Sequence, residues 1–293
     1  MNQNKNFVRS IRSAGIHVGI VGGVLCTLLF STMAGADDNF AAVYTNSVGP
    51  IMDFNADCWN EANPIKVAMY PQVITTPTKP NAAIAALTVK AAHNDQWLAL
   101  LIEWDDTTRS DRLVVDQFGD QVAVEFPIDA NSKALPSPMM GNPGGRVNIL
   151  QWRAAFQRDI DQGKPQIQDL YPNAVFDVYP DQVLRATDSN PYSGALGVDN
   201  SISRAHESPV LDQIAEGWGT LTTKPDQHAD GKGIWENGRW RVIITTPLAT
   251  ESVNSLRLTG TQSTHVAFAV WDGGNQEVGS RKAWSMWVPL ALE

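Results

Sequence analysis

From Ile65 onward the chain is a succession of short apolar runs cut by Gly, Pro, Asn and Asp, and that rhythm excludes most folds at once. Runs of about four to eight residues rich in β-branched and aromatic side chains form strands, whereas an amphipathic helix repeats its apolar positions every three to four residues. "IKVAMY" (65–70), "AALTVKAAH" (85–93), "QWLALLIEW" (96–104), "DQVAVEFP" (120–127) and "GRVNILQW" (145–152) make a first set of strands. "AVFDVYP" (174–180), "EGWGTLTT" (216–223), "GRWRVIITT" (238–246), "THVAFAVWD" (264–272) and "AWSMWVPL" (283–290) make a second. "HNDQW" at 93–97 sets a turn between two of these runs and predicts a hairpin. The helical period is confined to about 152–162, where Trp152, Phe156 and Ile160 recur at i, i+4 and i+8 before Gly163. The expected fold class is therefore all-β, an antiparallel β-sandwich with one or two short helices in insertions. Residues 186–212 are polar and turn-rich, too long for a simple connector, and are expected to form an ordered excursion or a partner-binding loop.

The first 36 residues have the pattern of an export signal. Lys5, Arg9 and Arg12 form a basic start, an apolar run follows from Ile16 to Phe30, and "AGA" at 34–36 is a small-residue cleavage site. "RSIRS" is not a twin-arginine pair, so a Sec-type route is the simpler expectation. The apolar run is short for a membrane span, and no other stretch is long and apolar enough to make one. The expected organisation is a signal peptide at 1–36 and one domain at 37–293, in the periplasm or an equivalent extracytoplasmic compartment. Loss of the leader's three basic residues takes the formal charge from −9 to −12. Nucleic acid and anionic lipid both select a basic footprint, so neither is an expected partner. Cys26 lies in the leader, which leaves Cys58 alone and excludes an internal disulfide.

Catalytic motifs are sparse. His93, His206, His228 and His265 lie at no metal-ligand spacing, and no C-x-x-C-H or G-x-S-x-G occurs. Glu103, Asp105 and Glu125 could supply a glycosidase with its two carboxylates, although carboxylates at strand ends ordinarily cap turns. Ten tryptophans on strand-like segments admit another reading, an exported carbohydrate-binding β-sandwich module without a haem. Two further features involve soft or neutral donors. "PMMGNPGG" at 138–145 places Met139 and Met140 against a glycine turn, and loops carry function more often than packing. "GSRKAWSMW" at 279–287 places Lys282 just before an aromatic strand, and a buried lysine sheds its proton to become a nitrogen ligand.

Taken in order, "DFNADCWNEA", "LTVKAAHNDQWLALLIEWDDTTRSD", "DQVAVEFP", "PMMG…VNILQWR", "DGKGIWENGRWRVII" and "VAFAVWDGGNQEVGSRKAWSMW" resemble the haem b (γ) subunits of periplasmic dimethyl-sulfoxide-reductase-type molybdoenzymes. That group includes ethylbenzene dehydrogenase, dimethyl sulfide dehydrogenase, selenate and chlorate reductases and nitrite oxidoreductase. The resemblance covers about residues 50–290. It implies a β-sandwich related to carbohydrate-binding modules, holding one non-covalent haem b between a Met and a Lys. By position the metal ligands are Met140, with Met139 as the fallback, and Lys282. The resemblance also suggests Trp104, Trp152 and Trp284 as walls of the haem pocket and Arg146 as the partner of a haem propionate. It implies an electron-relay role: a molybdenum catalytic subunit and an iron–sulfur subunit as partners, and a soluble or membrane redox partner beyond them. Nitrite oxidoreductase is the slightly preferred parent complex.

Overall fold

A computed structural model describes residues 40–129, 134–165, 167–173, 206–251, 254–258 and 263–293. The leader expected at 1–36, the strand expected at 174–180 and most of the excursion expected at 186–212 lie outside the described residues. By its internal contacts, Asp37–Glu293 forms one unit by itself.

The apolar runs become β1 (Ala41–Tyr44), β2 (Ile65–Ala68), β3 (Tyr70–Pro71), β4 (Ala86–His93), β5 (Trp97–Asp105), β6 (Gln121–Pro127) and β7 (Val147–Arg153). They continue as β8 (Val210–Ala215), β9 (Thr222–Thr223), β10 (Asp230–Glu236), β11 (Arg239–Pro247), β12 (Ser263–Trp271), β13 (Ala283–Trp284) and β14 (Val288–Leu292). Two layers result. One runs β10-β11-β5-β4-β1-β14-β12, with β2 also on β4; the other runs β12-β6-β7-β8-β9, with β13 on the free side of β12 and β3 on β13. β12 belongs to both, because Ser263–Val266 pair with β14 whereas Ala267–Trp271 pair with β6. A strand that changes sheets in this way makes a corner and brings the two inner faces over one core.

The β4–β5 hairpin forms where expected, and Asn94 explains why. Its side-chain oxygen accepts the Gln96 and Trp97 amides at 2.9 and 2.7 Å, an Asx turn that reverses the chain. The antiparallel expectation needs one correction: β1 lies parallel to both its neighbours, β14 and β4. The run 216–223 is mostly turn, and only Thr222–Thr223 extends, because β8 immediately before it takes the place beside β7. The helical signal at 152–162 resolves into α2 (Ala154–Gln162), which leaves β7 directly and ends at Gly163 with φ +84°. A short helix α1 (Cys58–Glu61) buries Cys58 and Trp59 on the outer face of the first sheet, against Leu101 and Ile243.

Between the sheets the largest side chains are Trp104, Trp152 and Trp240. Their rings meet edge to face or stacked, Trp152 and Trp240 at 5.0 Å between centroids and Trp104 and Trp240 at 6.2 Å. β10 makes room for this cluster by lacking side chains. A Cβ on Gly233 would stand 2.2 Å from the Trp152 ring. Gly233→Ala is therefore expected to lower stability by about 1–3 kcal/mol through overpacking, read as a lower denaturation midpoint with an unchanged slope.

Asp120 ties the cluster to the loops. It is fully buried and accepts hydrogen bonds from Ser110 N at 2.7 Å, Trp240 Nε1 at 3.0 Å and Gly273 N at 2.9 Å. Asp106 and Asp272 lie beside it, one carboxylate oxygen of each within 4.8 Å of the others. Burial, then the Asp106 charge, raises the Asp120 pKa to about 7. Asp106 and Glu277 are raised by burial as well. A carboxyl whose folded pKa exceeds its unfolded value holds a proton that the unfolded chain has released. Its contribution is thus favourable at low pH and fades as pH rises from about 4 through about 7. Unfolding free energy is expected to fall by a few kcal/mol across this interval, and Asp120→Asn to flatten that slope whatever it does to absolute stability.

Candidate cofactor-binding site

Three strands of the second sheet break the usual alternation of buried and exposed positions. β6 is buried throughout, β7 at all but its last residue and β8 at all but one. One face of each strand meets the core. The other presents Gln121, Ala123 and Glu125 from β6, Ile149, Gln151 and Arg153 from β7, and Gln213 from β8. Register places Arg153 and Trp271 on either side of Gln121, and Ile149 between Glu125 and Gln213. Over this face lies a cavity of about 680 Å³, walled by loop segments 72–75, 138–140, 218–221 and 278–282 and by Trp284. That volume is in the ordinary range for small-molecule and cofactor sites.

The methionine turn forms one wall. Met140 has φ +69° and Gly141 φ +72°, and a left-handed backbone is costly for any residue with a Cβ. Gly141 is required because a Cβ there would meet the Gly145 carbonyl at 2.4 Å. Asn142 and Gly145 exchange backbone hydrogen bonds at 3.1 and 2.7 Å, and Trp287 Nε1 holds the Pro136 carbonyl at 2.7 Å. Met140 is fixed on both sides: its N–H donates to Glu125 Oε2 at 3.2 Å and its carbonyl accepts from Gly217 N at 2.7 Å. A stretch that reads as a flexible loop is thus a pinned turn that presents Met139 and Met140 to the cavity.

Lys282 enters from the opposite edge of the sheet. The residues after it form β13, with Trp284 paired to Ala269, and its Nζ lies 5.0 Å from the centre of the Trp271 ring. Burial pushes the Lys282 pKa down, although the Glu125 carboxylate works against this. Burial likewise pushes Glu125 up to about 8, against the Lys282 charge and the amides of Met140 and Gly141. Each group is driven towards its neutral form, the form in which an amine carries a lone pair.

Three residues of the wall hold a buried polar atom without a partner, Glu125 Oε1, Arg153 Nε and Gln213 Oε1. Native interiors leave few such atoms, so a wall with three of them suits an occupant that pairs with some of them. The donors present, a thioether and an amine able to lose its proton, suit a soft to borderline iron centre and offer no carboxylate cage for a hard cation.

Of the residues predicted from sequence, Met140, Met139, Lys282 and Trp284 share this cavity. Trp104 and Trp152 do not, and their expected place as pocket walls is corrected. Successive residues on a strand face opposite ways, so Gln151 and Arg153 take the cavity side of β7 and Trp152 the core. Arg146 is also corrected: it is exposed, pairs with Glu216 at 3.1 Å and lines a separate surface cleft. The glycosidase carboxylates are not assembled. Glu103 pairs with Arg241 and Arg239 on the first sheet, Asp105 is exposed, and Glu125 belongs to the second sheet. Trp104, Trp152 and Trp240 are buried and offer no face to a sugar, whereas Trp218 is exposed beside the cavity. Sequence reasoning missed Gln121, Gln151, Arg153, Gln213 and Trp271. The signal was there in Gln121, Glu125, Gln151 and Arg153, polar residues at every other or every fourth position of otherwise apolar strands.

A β-sandwich with a thioether, an amine and aromatic walls around a cavity on one sheet makes this an all-β protein with a candidate cofactor pocket. The chain belongs to the ethylbenzene dehydrogenase family, whose sequence model matches residues 56–283. It is 25% identical over 234 residues to ORF7 of Haloferax mediterranei, assigned by name as a respiratory nitrate reductase heme subunit, covering 79% of this chain and 65% of that protein. It is also 25% identical over 206 residues to the chlorate reductase γ subunit of Ideonella dechloratans, covering 70% of this chain and 64% of that one. The match thus spans less than two thirds of each relative's length. A family 9 carbohydrate-binding module from Caldicellulosiruptor kristjanssonii, solved with glucose, aligns over 86% of this chain and 95% of its own at 12% identity and a TM-score of 0.35.

Proposed function

We propose that this chain is an exported electron-transfer subunit that holds one non-covalent haem b between Met140 and Lys282. In this reading it relays electrons between the iron–sulfur subunit of a molybdenum oxidoreductase, with nitrite oxidoreductase preferred, and an external redox partner. The observation that carries the reading is that Met140 and Lys282, more than a hundred residues apart in sequence, line the same cavity. The names of the two relatives, a heme subunit and a γ subunit, support it. Bound haem would supply a one-electron couple, and with both axial positions filled by protein it would have no open site for a substrate.

The chain's own residues set the conditions. The Met140 thioether is neutral and soft, which favours reduced iron and a raised potential. Lys282 would coordinate only without its proton, and burial beside Trp271 already weakens its hold on that proton. In this reading the expected leader at 1–36 would direct export, and the relay would work beside periplasmic redox partners.

The purified protein is expected to show a sharp low-spin b-type spectrum on reduction and to give up its haem to acid acetone. A colourless protein that stays five-coordinate with added hemin, or that is retained on a glycan column without any Soret band, would overturn the reading. Copurification of molybdenum and iron–sulfur subunits tests the proposed partners separately.

A further inference from the structure

Arg153 occupies the last position of β7 and turns into the cavity beside Gln121. Its Nη2 donates to Gln151 Oε1 at 3.1 Å, and its guanidinium carbon lies 5.2 Å from the Phe156 ring. Among the described residues no carboxylate pairs with it, and its Nε is buried without a partner. A half-buried guanidinium in this condition is expensive, because its charge has left water without gaining a counter-ion. Burial is the whole cause of its lowered pKa, about 10, so the group remains a cation at neutral pH.

The surroundings fix this cation in place. Gln151 accepts from Arg153 and donates in turn to Gln121 Oε1 at 2.7 Å, and Gln121 Nε2 reaches the Gly119 carbonyl. The amide chain therefore orients the guanidinium and neutralises nothing. The one acid on the cavity wall, Glu125, interacts with Lys282, and it stands four residues along β6 from Gln121, the residue that pairs with Arg153. Arg153 is thus left without a carboxylate partner on the cavity wall.

We infer that Arg153 anchors a carboxylate of the bound cofactor, pairing with the anionic edge of the molecule. The inference rests on the haem reading above, in which the carboxylates are the haem propionates. A guanidinium presents a planar fork that matches a carboxylate with two parallel hydrogen bonds, and the free Nε is one tine of that fork. Arg146, paired with Glu216 outside the cavity, takes no part.

The test is the rate at which the haem-loaded protein loses haem to an excess of apomyoglobin. Arg153→Gln is expected to release it about 10- to 100-fold faster, the loss of a charge-assisted hydrogen bond, while the six-coordinate low-spin spectrum persists. Arg153→Lys should recover part of the difference, and Arg146→Gln none of it. A parallel arm uses unaltered protein loaded with hemin dimethyl ester, which has no free carboxylates and should leave about as fast as hemin leaves Arg153→Gln. This arm does not depend on the variant folding. Wild-type release from Arg153→Gln, or equal retention of hemin and its diester by the unaltered protein, would overturn the assignment with the haem reading intact. A protein that forms no b-type spectrum with hemin would instead remove the haem reading itself.

Discussion

Replacing Met140 by Ala in the haem-loaded protein is expected to abolish the low-spin six-coordinate spectrum and lower the reduction potential, whereas Met139→Ala leaves both close to those of the parent. The two thioethers are adjacent and line the same cavity, so the difference has to come from the backbone. Met140 is held on both sides, N–H to Glu125 and carbonyl to Gly217, in a left-handed conformation that a methionine adopts only when its surroundings impose it. Met139 donates its N–H at 3.2 Å to Ser137 Oγ within the same turn. Strain concentrated at one residue of a cavity wall is what a fixed ligand would show. Lys282→Ala should give the same spectral change from the other side. Resonance Raman and optical spectra of the three variants decide between them, and a high-spin spectrum from Met139→Ala but not from Met140→Ala would reverse the assignment.

Trp152→Ala is expected to be the most destabilising single truncation, by about 3–5 kcal/mol, a large share of the roughly 5–15 kcal/mol that holds a domain together. Trp152 is wholly buried, packs on Trp104 and Trp240, and fills the space that Gly233 leaves open. Its indole N–H also faces Gln157 Oε1 at 3.4 Å, the oxygen that accepts Gly233 N at 2.9 Å. Truncation would leave a cavity bounded by strands of both sheets, which cannot close without moving one sheet relative to the other. Chemical denaturation of the apoprotein measures the loss. A change below about 1 kcal/mol would mean that the site collapses freely and that the cluster is no keystone.

Strand identity was legible where runs were long and flanked by strong turn residues. β4, β5, β6, β11 and β12 lie within a residue or two of their expected bounds, and the Asn94 turn joins the hairpin foreseen. β10 escaped because its alternate positions are glycines, which look like a turn in sequence; in the fold Gly233 admits Trp152, and Gly231 lies against Ile243 and Val210. The place of β8 between β7 and β9 and the parallel pairing of β1 escaped because neither follows from local pattern. The candidate site divided the same way. Met140 and Lys282, expected from the resemblance, line one cavity, whereas Trp104 and Trp152 lie in the core and Arg146 outside the cavity, because composition does not say which face of a strand a side chain takes.

The sequence by itself determined the all-β class, the main strands, the hairpin and the chemical nature of two donors, since alternation, turn chemistry and ligand softness are properties of neighbouring residues. Only the tertiary structure decided that these donors share one cavity, that the tryptophans belong to the core and that Arg153, not Arg146, is the cation inside. Those outcomes depend on register and on what covers the second face of a sheet. A one-residue change of register would exchange Trp152 with Arg153, and long-range pairing and packing alone forbid it.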